Sequence, residues 1–161
     1  MRWPASAKGS ISAANHFLAK SLMNATVFVD TNILVYALDL DAGPKREIAL
    51  SVIEAGWQTL GETALSVQVL QELHVNLVRL GRSVPEATRI VREFYSWPVV
   101  ENTLPLFNDA LETQARWQLS LWDALIVAAA RASGARELLS EDLNHGQDYG
   151  GVRVRNPFPA R

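Results

Sequence analysis

The feature that most constrains this chain is a short apolar run that ends on an acid, Thr26-Val27-Phe28-Val29-Asp30-Thr31-Asn32-Ile33-Leu34. Its β-branched and aromatic residues read as a buried strand. The helix predicted over Asn32–Leu38 follows almost at once. Asp30 therefore stands at the carboxyl end of a strand, where open α/β sheets place their ligands. Two roles are open to it there: Asp30 or Thr31 caps the helix, or Asp30 is one of several acids converging on a cation.

The remaining segments continue the alternation of strand and helix. Asp39-Leu40-Asp41-Ala42-Gly43-Pro44 is an acidic turn, and a helix is predicted from about Lys45 to Gly56 with Ile48, Val52 and Ile53 on one face. Thr63–Ser66 reads as a strand or strand remnant. Leu70, Leu73, Leu77 and Leu80 recur at helical spacing before Gly81. Ser83-Val84-Pro85-Glu86 carries the marks of a helix start. After an extended Trp97–Val100, helices are predicted over about Pro105–Gln118 and from Ser120 to Ala132, then strands at Glu137–Ser140 and Val152–Val154. This order implies an α/β fold with a mostly parallel sheet and helices on both faces.

Length and charge narrow the function. At 161 residues the chain fits one domain with a sizeable core. It lacks cysteine, which excludes disulfides and thiolate metal sites and fits a reducing cytoplasm. Its longest apolar run, Ala124–Ala130, is too short to span a membrane. The formal charge is −2, with Arg2, Lys8 and Lys20 and no acid before Asp30. A domain this acidic needs a cation or a local basic patch to handle nucleic acid. Residues 1–24 are Ser/Ala-rich without sustained periodicity, and are expected to be a disordered arm or an extension from a misplaced start codon, with Met23 just before the first strand. The domain proper is 25–161.

Four carboxylates fall where elements begin or end. Asp30 ends the first strand, Glu72 lies in the first turns of a helix, Asp123 opens the most apolar helix, and Asp142 follows the strand ending at Ser140. Each has a plain alternative: helix cap for Asp30, solvated rim for Glu72, capping box with Ser120 for Asp123 and turn chemistry for Asp142. In a doubly wound sheet, however, strand ends and helix starts share one edge. Acids gathered there raise one another's pKa unless a cation intervenes. Hard oxygen ligands point to Mg²⁺ or Mn²⁺ rather than Zn²⁺, and His16, His74 and His145 show no zinc spacing. Such an ion acidifies water and clamps phosphoryl oxygens. The chain has neither the late lysine of a response-regulator receiver nor a Gly-x-Ser-x-Gly elbow, Walker loop or Gly-x-Gly-x-x-Gly.

Val29–Leu34, Ser66–Leu73, Trp122–Ala130 and Leu138–Leu143 resemble, in order, the successive motifs of PIN domains, above all the toxin ribonucleases of VapC-type toxin–antitoxin pairs. The likeness runs through residues 25–161, including Asn156-Pro157-Phe158. It implies a three-layer α/β/α PIN-like fold and a Mg²⁺- or Mn²⁺-dependent endoribonuclease acting through metal-activated water. By position it assigns Asp30, Glu72, Asp123 and Asp142 to the metal and catalytic site, Asp30 and Asp123 most directly, with Asn32 and Ser140 in support. It also implies an RNA substrate, a cognate antitoxin and a homodimer formed through helices. Two other functions compete: a non-catalytic PIN-like binding module, and a phosphoesterase acting on DNA or nucleotides. Arg79, Arg82, Arg153 and Arg155 read as phosphate contacts or ordinary surface. Trp57, Trp97, Trp117 and Trp122 read as core or interface rather than as stacking platforms.

Overall fold

The computed structural model describes residues 25–59 and 61–158; the expectation for residues 1–24 lies outside them. The order of elements is β1 (Val27–Val29), α1 (Thr31–Leu38), α2 (Pro44–Gln58), β2 (Thr63–Ser66), α3 (Val67–Arg79), α4 (Val84–Glu93), a 3₁₀ turn (Phe94–Ser96), β3 (Val99–Val100), α5 (Leu104–Trp117), α6 (Leu121–Ala132), β4 (Glu137–Leu139) and β5 (Arg153–Arg155). The strands form one sheet in the order β3-β2-β1-β4-β5. Every strand pairing in it is parallel. The expected α/β class holds, with a sheet more uniformly parallel than anticipated.

Burial on both faces explains the strand sequences. All four residues of β2 are buried, as are Phe28, Val29, Leu138 and Leu139 in the central pair. Parallel sheets covered by helices require such apolar strands. At the edge, β5 alternates exposed Arg153, buried Val154 and exposed Arg155. The core continues through Ile33 and Leu34 of α1, Val69, Leu73 and Leu77 of α3, and the run Ile126–Ala130 of α6.

Side-chain caps fix most helix starts; α2 begins instead on Gly43-Pro44 without one. Ser66 accepts from Val69 N, Ser83 from Glu86 N, Thr103 from Leu106 N and Ser120 from Asp123 N. Each satisfies an amide that the first turn leaves without a helical partner. Because Ser66 is both the last residue of β2 and the cap of α3, that helix begins three residues ahead of its leucine stripe.

Strand order then positions the site. From central β1 the chain goes out to β2 and β3 and returns on the other side as β4 and β5, so the switch point lies between β1 and β4. Val29 pairs with Leu139 there, which sets Asp30 beside Ser140 at the strands' carboxyl ends.

Candidate active site

Asp30 is 7% exposed and holds three donors. Its Oδ1 accepts from the Thr31 amide at 2.7 Å, and its Oδ2 accepts from Ser140 Oγ at 2.6 Å and Asn32 Nδ2 at 3.0 Å. It is thus the N-cap of α1, as the plain reading expected, and also the centre of a wider network. Asn32 Nδ2 donates as well to Asp142 Oδ2 at 3.0 Å, so one amide nitrogen bridges two carboxylates. Thr31 bridges on the other side, its Oγ1 donating to Glu72 Oε2 at 2.7 Å. Glu72 is pinned from behind by Gln68 Nε2 at 2.8 Å.

The network brings together Asp30, Glu72 and Asp142 with Asn32 and Ser140. Asp123 is placed differently. Its carboxylate accepts from Ser120 Oγ at 2.7 Å while its own amide donates back to that oxygen, a closed capping interaction. Its helix is nevertheless tied to the site, because Gln68 Nε2 also donates to the Trp122 carbonyl at 3.2 Å.

The electrostatics are those of uncompensated acid. Among the described residues, none of the ion pairs includes Asp30, Glu72, Asp123 or Asp142. Burial pushes the Asp30 carboxyl up to about 7, reinforced by the nearby charges of Asp142 and Glu72 and partly offset by the Ser140 and Thr31 hydrogen bonds. The adjacent Glu141 turns to Lys45, which also donates to Tyr36 Oη at 3.3 Å. The Lys45 ammonium lies 4.5 Å from the Tyr36 ring centroid and 5.4 Å from that of Phe158. This contact clamps the start of α2 to the loop that carries Asp142.

Among the described residues, no three Asp, Glu or His side chains stand close enough to enclose one ion. Mg²⁺ does not require such a cage: it keeps several waters and takes one or two carboxylates together with substrate phosphate. Asp30 and Asp142, both within hydrogen-bond reach of one amide, supply a donor set of that kind.

Thr31 and Gln68 are the members of the network that motif reading passed over. Gln68 lies four residues before Glu72 on α3, a spacing that places two side chains together on a helix. Of the arginines considered for phosphate, Arg82 pairs with Glu86 at 3.0 Å and Arg155 with Glu137 at 2.7 Å. Arg79 and Arg153 are exposed and outside the ion pairs of the described residues.

A parallel sheet with Asp30, Asp142 and Glu72 linked through Asn32 and Thr31 at its switch point defines a small α/β domain with an acidic hydrogen-bonded network at its strand ends. The family follows from comparison: the PIN domain model matches residues 27–147, so the chain belongs to the PIN domain family. It is 28% identical over 139 residues to Ribonuclease VapC24 of Mycobacterium tuberculosis, covering 81% of this chain and 95% of that protein. Solved structures share its fold. A toxin–antitoxin complex from Klebsiella pneumoniae superposes with a TM-score of 0.60 at 24% identity, covering 84% of this chain and all of that one. VapC20 of M. tuberculosis, a toxin that cleaves the sarcin–ricin loop, gives 0.61 at 23% identity, covering 81% and 100%. Among the described residues, no helix is long and apolar enough to cross a membrane.

Proposed function

We propose that this protein is a Mg²⁺- or Mn²⁺-dependent endoribonuclease, the toxin of a toxin–antitoxin pair. The observation that carries the reading is the buried Asp30 carboxylate, drawn together with Asp142 and Glu72 by Asn32 and Thr31 and paired with no cation among the described residues. When bound, the ion supplies charge neutralisation at the phosphoryl group and a more acidic water. Asp30 and Asp142 would hold it, and Asp123 would join from the start of α6 only by leaving its hydrogen bond with Ser120. Glu72, fixed by Thr31 Oγ1 and Gln68 Nε2, orients the attacking water. Ser140 and Asn32 keep Asp30 aimed. No side-chain nucleophile is required.

The family likeness to a named ribonuclease and to toxin–antitoxin structures supports RNA as the substrate and an antitoxin as the partner. Exposed Leu104, Phe107 and Leu111 at helical spacing on α5 offer an apolar face for a second copy or an antitoxin. Incubation with total RNA tests the reading. Cleavage that stops with EDTA and returns with excess Mg²⁺ supports it. Intact RNA with Mg²⁺ present indicates a non-catalytic module, and cleavage of DNA alone the other phosphoesterase.

A further inference from the structure

Trp122 departs from the other described tryptophans. Trp57 packs 5.0 Å from Phe94 and 5.3 Å from Trp97, measured between ring centroids, and Trp117 lies 5.3 Å from Tyr149. Trp122 is 64% exposed and touches no aromatic ring among the described residues. Its backbone is held firmly all the same. It lies inside the Ser120–Asp123 cap, and its carbonyl accepts from Gln68 Nε2, the nitrogen that also donates to Glu72. A single amide nitrogen therefore links the root of an exposed indole to a carboxylate of the acidic network.

We propose that Trp122 is a stacking platform for an unpaired RNA base beside the acidic site. The inference rests on the ribonuclease reading and deepens it, by naming how substrate is gripped. The acids repel the phosphate backbone and the formal charge is −2, so a contact that needs no counter-charge adds to affinity alongside the ion. Stacking supplies it: a base offers a neutral π-face, and ring–base contacts in single-strand binders are sequence-tolerant. An unpaired base is also the kind of RNA feature that aromatic side chains select. A protein partner fits less well. Its docking favours a contiguous apolar patch, whereas the neighbouring Leu121 is half-buried and the indole stands between exposed Ser120, two residues before it, and the carboxylate of Asp123.

The test uses the full chain, Trp122→Leu and Trp122→Phe, and a short single-stranded oligoribonucleotide that the wild type cleaves. Circular dichroism and melting of W122L should match wild type, since the ring buries little. W122L should raise KM about tenfold with kcat within about twofold, and W122F, which keeps a flat ring, should fall between. In an Asp30→Asn background the oligonucleotide should quench tryptophan fluorescence, and that quench should vanish in D30N/W122L. Wild-type KM in W122L, or a quench that survives the substitution, overturns the inference and assigns the ring to a protein contact. A wild type that cuts no RNA at all breaks the ribonuclease reading and this inference with it, a result distinct from normal cleavage by W122L.

Discussion

Two buried or half-buried aspartates of this protein meet opposite fates. Asp109 on α5 is held by Arg131 of α6, whose Nη2 donates to both carboxylate oxygens at 2.9 and 2.8 Å. The same guanidinium donates to Thr113 Oγ1 and, at 3.1 Å, to the Tyr149 carbonyl. Asp30 is more deeply buried, yet its partners are an amide, a hydroxyl and a backbone N–H, with two further acids close by. Where the fold needs a carboxylate only to join two helices and a loop, it supplies a guanidinium. Where it leaves acids together without one, the proposed function assigns the missing positive charge to an external ion.

That contrast can be broken by exchange of effects. Asp30→Asn should lower RNA cleavage by more than about a hundredfold, since even residues that only hydrogen-bond to a metal's ligands cost about 10–100-fold when removed. Its folded structure should persist, and circular dichroism with a cleavage assay checks both. Cleavage by D30N at the wild-type rate in saturating Mg²⁺ would remove Asp30 from the site.

The second effect is on stability and depends on pH. In the folded, ion-free chain the Asp30 carboxyl is raised to about 7 from its ordinary 3.8. The folded state keeps the proton longer than the unfolded state does. This group's contribution to stability is therefore complete below about pH 3.8 and lost as pH rises through about 7. Asparagine does not ionise, so the stability of D30N relative to wild type should increase between pH 4 and pH 8, by on the order of 2–4 kcal/mol. Urea titrations in EDTA at several pH values measure it. A constant difference would mean that Asp30 ionises as freely as a surface acid.

Arg131→Met should show the opposite pattern. It strands Asp109 and the Tyr149 carbonyl, and should cost about 1–3 kcal/mol in urea denaturation while cleavage per folded molecule stays near wild type. A loss of activity rivalling that of D30N would erase the distinction between the two aspartates. Smallest of the set, Thr31→Val removes the hydroxyl that holds Glu72. It should reduce kcat about tenfold and stability by about 1 kcal/mol. Unchanged kcat would make the Thr31–Glu72 bond purely structural.

Much of the fold was legible because its signals are local. Ser83 and Ser120 announce their helices by capping chemistry, and the apolar runs at 26–29 and 137–140 announce the buried central strands. Ends were less legible. The sequence Val152-Arg153-Val154 reads as a strand, but the ladder pairs 153–155, although Val152 and Val154 are both buried. The order β3-β2-β1-β4-β5 depends on contacts between distant segments and has no local mark. Within the candidate site, sequence named Asp30, Asn32, Glu72, Ser140 and Asp142, which the fold joins in one network. It could not show that Asp123 closes on Ser120, since capping box and cation ligand need the same residues at the same spacing. Thr31 and Gln68 carry no charge to attract notice, and their role depends on which element lies opposite. In sequence Trp122 reads like the core and interface tryptophans, because helical position alone does not say which face is covered, and the fold leaves it exposed.

In the proposed function, Asp30 and its neighbouring acids form an ion site that the folded protein leaves incomplete. Melting temperature as a function of Mn²⁺ concentration at pH 8, for wild type and D30N side by side, tests it most directly. Linkage predicts that the wild type gains stability steadily as the ion exceeds its dissociation constant, while D30N gains little or nothing. Equal shifts in the two proteins, or none in the wild type, would contradict it.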